Sequence, residues 1–175
     1  MSYTMSAGAH QQNIEVHKYY GGSILIVSFL ALVLEAFLHK YGRWAEFVDL
    51  PLLVTIYFGL SRRNPVSGMF LGALIGMAQD ALSFDNPIGM FGIAKTLVGY
   101  FASSVGARID TEHPASRFAL VFLFFHFHQI IVAIIERALL NEAARFFTFH
   151  LLVHSLVTAV VGVLLFALLD KLRVE

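Results

Sequence analysis

The sequence predicts an all-α integral membrane protein: six spanning helices in one bundle, with both termini on the cytoplasmic side. Three observations carry that prediction. The 175 residues are 58% hydrophobic and only 14% charged, with a mean hydropathy of +0.73, too apolar for a soluble chain of this size. The apolar residues gather into six runs, and a spanning helix needs about 20 residues at ~1.5 Å each to cross ~30 Å of hydrocarbon. Finally, loop Lys and Arg residues divide unevenly between the two sides. Lys18, Arg62, Arg63, Arg108, Arg117, Lys171 and Arg173 fall on one side, against Lys40, Arg43, Arg137 and Arg145 on the other. The richer side is the cytoplasmic one.

Taken in order, residues 1–20 are polar and small and read as a tail, and residues 21–175 as a single six-helix domain. The first run, Gly21 to Leu38, has no small-residue cleavage site after it and is read as a retained helix. Phe47 to Leu60 is short and contains Pro51, a residue that fits the first turn of a helix capped by Asp49. Val66–Phe84, Pro87–Ala107, Ser116–Leu140 and Phe146–Leu169 supply the remaining spans. They are separated by the turn Asp85-Asn86-Pro87, the polar stretch Asp110–Pro114 and the link Asn141-Glu142. Residues 1–87 and 88–175 share no matched motif or paired helix break, which argues against an inverted-repeat carrier.

Composition excludes several functions. Twelve basic and twelve acidic residues leave no net charge, so no polybasic surface invites nucleic acid. With no cysteine there is no disulfide, thiolate metal site or cysteine nucleophile. No phosphate-binding glycine loop, dinucleotide fingerprint or Gly-x-Ser-x-Gly elbow occurs, and no cofactor is expected.

Two groups of residues stand out within the spans. Gly68, Gly72 and Gly76 recur at i,i+4 and form a stripe where a second backbone can approach closely, inside this chain or on a partner. Ionisable groups are the other signal, because in hydrocarbon each costs several kcal/mol unless paired, hydrated or turned inward. Glu35, Asp49, Asp80, Lys95 and Glu136 are the main ones. Asp80 and Lys95 flank the third turn at depths that differ by only ~5 Å at 1.5 Å per residue, so an Asp80–Lys95 ion pair is expected in the outer half of the membrane. Glu35 can snorkel, pair with Lys40 or Arg43, or face a cavity. His126 and His154 both fall near mid-membrane and can meet, while His128 points to nearly the opposite side of its helix from His126. His150 and His154 have the i,i+4 spacing of helical zinc ligands, but no His-Glu-x-x-His motif accompanies them, and buried neutral histidines account for the cluster more simply.

The stretch Asp49-Leu-Pro-Leu-Leu-Val-Thr-Ile-Tyr-Phe-Gly-Leu60, the glycine-rich run Gly68 to Leu82 ending in Gln-Asp-Ala-Leu, then Asn86-Pro-Ile-Gly89 and Lys95-Thr-Leu-Val-Gly-Tyr100, resemble the rod shape-determining MreD family in order and spacing. The resemblance spans roughly residues 47–107. It implies a non-enzymatic subunit of the cell-elongation machinery in the bacterial inner membrane. MreC would be its direct partner, with MreB and the elongation glycosyltransferase and transpeptidase indirect ones. The family is also similar in fold to the S components of vitamin transporters, six-helix proteins with a pocket near the outer surface, which makes a substrate-binding subunit the alternative. The Ala-x-x-x-Ala docking pair of those proteins is missing here, since Glu35 follows Ala31 by four and Ala36 is out of step. A histidine-ligated metal or haem oxidoreductase ranks third. For the adaptor reading, Gly68, Gly72, Gly76, Asp80 and Lys95 are the candidate packing or partner residues, and Glu35, Asp49, His126 and His154 the other intramembrane polar candidates.

Overall fold

A computed structural model describes residues 21–41, 48–83, 89–109, 111, 113–140 and 149–172. The tail 1–20, the turn Asp85-Asn86-Pro87 and the link Asn141-Glu142 lie outside the described residues. Those described form six α-helices and no strand: α1 (Gly21–Tyr41), α2 (Leu50–Arg62), α3 (Pro65–Leu82), α4 (Met90–Gly106), α5 (Pro114–Leu140) and α6 (Phe149–Leu169). A 3-10 turn, Asp170–Leu172, follows α6. Helices α1, α3 and α5 begin within two residues of the expected starts, and α2, α4 and α6 are described from three residues later. Pro114–Ala138 and Phe149–Leu169 are long and apolar enough to cross a membrane.

The short helix α2 is the axis of the bundle. Every residue from Pro51 to Ser61 is buried, and α1, α3, α4, α5 and α6 all pack against it. Its start is fixed locally: Asp49 has extended backbone and accepts a hydrogen bond from Leu52 N at 2.7 Å, with Pro51 in the first turn. It ends at Arg63, whose left-handed backbone (φ 54°) turns the chain directly into α3, capped in turn by Asn64. Around this axis α3 lies on α4, α4 on α5 and α5 on α6, while α1 packs along α2 and α3. Outward faces carry Leu25, Phe29, Phe70, Leu123, Leu156 and Leu164, all exposed and apolar.

The glycine stripe turns out to be the seam between α3 and α4. A Cβ added at Gly68 would collide with the carbonyl oxygen of Gly99, one at Gly72 with that of Lys95, and one at Gly76 with that of Phe91. The contact is reciprocal, because a Cβ at Gly99 would strike Gly68 O. Two backbones therefore touch over three turns, the close approach that small residues permit where apolar burial cannot drive helices together in lipid. The stripe is consumed within the chain and is not open to a partner helix.

Gly72→Leu is expected to overpack this seam and lower stability by about 1–3 kcal/mol or more, whereas Gly22→Ala, at a position with open space around it, should leave thermal unfolding in detergent unchanged. An undisturbed Gly72→Leu protein would contradict the seam.

Candidate functional site

At the α1 C-terminal end of the bundle, five helices contribute polar side chains to a buried group. Asp80, near the end of α3, is 1% exposed and does not pair with Lys95. Its carboxylate instead accepts three main-chain hydrogen bonds at the start of α4, from Gly89 N (3.0 Å) and Gly92 N (2.9 Å) to Oδ2 and from Phe91 N (3.0 Å) to Oδ1. Gly89, the residue at the cap position of α4, has a left-handed backbone (φ 101°) and no side chain with which to cap. The cap is supplied across the turn by α3. A carboxylate on a helix N-terminus is stabilised both by charge-assisted hydrogen bonds and by the helix dipole.

Lys95, fully buried on α4, pairs with Asp49, Nζ to Oδ2 at 2.8 Å. The expected Asp80–Lys95 pair is thus corrected to Asp49–Lys95. Similar depth along the membrane normal does not make a pair, because Asp80 is already satisfied by main-chain donors. Asp49 serves two helices at once, since Oδ1 caps α2 while Oδ2 holds α4. The ammonium also lies 5.1 Å from the centre of the Phe91 ring, a cation–π contact.

Glu35 on α1 accepts a hydrogen bond from Gln79 Nε2 on α3 at 2.8 Å and is 9% exposed. It faces inward and does not snorkel; Arg43, one of its expected partners, lies outside the described residues. From α5 comes His128, 1% exposed, stacked on Phe91 at 6.0 Å with an interplanar angle of 11°. Neither ring nitrogen of His128 has a hydrogen-bond partner among the described residues. The histidines singled out from sequence sit elsewhere. His126 is half-buried with Nδ1 2.9 Å from Phe122 O, and both His126 and His154 pack against the Phe125 ring, at 6.0 and 5.1 Å. The His150 and His154 rings are 6.0 Å apart. Among the described residues no group of three or more His, Asp or Glu side chains could hold a metal ion.

A second polar anchor, missed in the sequence, closes the opposite end. Asp170 in the 3-10 turn accepts a hydrogen bond from Tyr57 of α2 at 2.9 Å and forms a 2.6 Å ion pair with Arg117 of α5, whose Nε also donates to Thr111 O at 2.8 Å. One carboxylate thereby ties together α2, α5 and the end of α6.

Residues 17–172 match the rod shape-determining protein MreD family. The chain belongs to that family. No curated protein and no solved structure matches it. Membership makes this a membrane protein with a role in rod shape determination, and the match extends well past the 47–107 stretch that carried the resemblance, to take in α1, α5 and α6. The alternative drawn from the family's likeness to S components calls for a pocket near the outer surface. Among the described residues, one cavity lies between α1 and α3, beside Arg62 and Asn64.

Lys95→Met alone should leave the half-buried Asp49 carboxylate without its cation and cost at most about 3–5 kcal/mol; adding Asp49→Asn should recover much of that loss in thermal unfolding. The coupling measured for Asp49 with Lys95 should exceed that for Asp80 with Lys95, and the reverse order would refute the assignment. His128→Phe keeps the ring stack and removes two unsatisfied nitrogens, so its unfolding temperature should be equal or higher; a marked fall would show that the imidazole is bonded after all.

Proposed function

We propose that this chain is a non-enzymatic adaptor of the bacterial cell-elongation complex, a single helical domain that crosses the inner membrane six times with both termini in the cytoplasm and binds MreC directly. MreB and the elongation glycosyltransferase and transpeptidase are then reached through that contact. The observation that carries this reading is how the charged groups inside the bundle are used. Asp49 with Lys95, Asp80 with the start of α4, Glu35 with Gln79, and Asp170 with Arg117 each fasten one helix to another.

Such fastening suits a rigid body whose exterior recognises a neighbour. Adaptor docking in lipid relies on close packing of apolar faces and a few polar contacts. Since α4 fills the glycine stripe, the faces left for a partner helix are those that remain apolar and exposed, on α1 (Phe29, Leu34) and on α6 (Leu156, Val160, Leu164) among others.

Photo-crosslinking from these positions in native membranes tests the reading. MreC should be captured from one of the two helices and not from Gly72, which is sealed in the seam. Absence of MreC from every exposed position, together with its absence from gentle co-purification, would overturn the adaptor role.

A further inference from the structure

The structure contains a feature that the adaptor role does not use. Between α1 and α3, at the end where α2 turns into α3, lies a furrow of about 390 Å³. Ile24 and Leu25 form one wall, Phe70 and Leu74 the other, and Arg62 and Asn64 stand at the mouth. We propose that this furrow is a binding site for one anionic phospholipid, with an acyl chain between α1 and α3 and its phosphate at Arg62.

Length decides between a lipid and a helix as occupant. Along α3 the furrow runs from Val66 to Leu74, which at 1.5 Å per residue is ~12 Å. That is close to half of the ~30 Å hydrocarbon thickness, the reach of one leaflet, whereas a spanning helix needs a groove more than twice as long. Volume agrees. An apolar cavity of ~150 Å³ accepts benzene, so the furrow has room for on the order of a dozen carbons.

Charge decides the head group. No acidic side chain lines the furrow. Arg62 ends α2 with its side chain exposed at the mouth. The one carboxylate described on this side, Asp170, is already held by Arg117 and Tyr57. The exposed Arg62 guanidinium at the mouth, with no acidic side chain in the lining, favours a phosphate diester without a compensating amine. The Lys and Arg distribution assigns this end to the cytoplasmic leaflet.

The test is native mass spectrometry of the purified full chain, offered phosphatidylglycerol or phosphatidylcholine with identical acyl chains. One phosphatidylglycerol should be retained per chain in clear preference to phosphatidylcholine, and Arg62→Gln should cut that preference about fivefold, the effect of one basic group near the surface. Leu74→Trp, which fills the furrow, should release both lipids; circular dichroism and thermal unfolding establish that each variant is folded, and if Leu74→Trp is not, the head-group comparison and Arg62→Gln still decide. Equal retention of the two lipids, retention indifferent to Arg62→Gln, displacement by inorganic phosphate alone, or a second protein copy in place of lipid would each overturn the proposal. Because MreC capture is read separately, failure here leaves the adaptor role standing.

Discussion

An ionised group in hydrocarbon is tolerated only when it is bonded, and that single constraint organises the whole bundle. The chain meets it by spending buried charge on helix ends and on joints between helices. Asp49 and Asp80 both sit where a helix begins, and both neutralise main-chain donors that lipid would leave orphaned. Lys95 then balances the charge of Asp49, and Gln79 receives Glu35. Because the bonds of Asp80, of Lys95 with Asp49, and of Glu35 with Gln79 run between different helices, solving the solvation problem also ties α1, α2, α3 and α4 to one another.

The seam between α3 and α4 is the second half of the same arrangement. Glycines let the two backbones touch, and the Asp80 cap closes the end of that contact. Removing the cap would free the first turn of α4, and adding side-chain bulk along the stripe would spread the pair that the cap holds. At the far end Asp170 plays the corresponding part for α2, α5 and the end of α6.

Much of this was legible in the sequence, and the failures have definite causes. Helix positions followed from apolar runs, and Asp49 was recognised as a cap because Pro51 follows it by two residues. What escaped notice was that a carboxylate has two oxygens and can cap one helix while pairing with another. Asp80 was given the wrong partner since a main-chain donor leaves no mark in a sequence. His128, placed on the opposite side of its helix from His126, lies on the buried face with Val121, Phe125 and Val132, at spacings of four, three and four. On a helix surrounded by lipid the outward face is as apolar as the inward one, so periodicity does not reveal which histidine is turned in. Asp170 went unnoticed because it stands just past the last apolar run, where a charge ordinarily needs no explanation.

The length of α2 has one more consequence. Its 13 residues extend ~20 Å while the 27 of α5 extend ~40 Å. The central rod is therefore half as long as one of its neighbours, and Asp49 at its start keeps 16% of its side chain accessible. The axis of the bundle is thus the shortest of the six described α-helices, started by Asp49 and ended by Arg63.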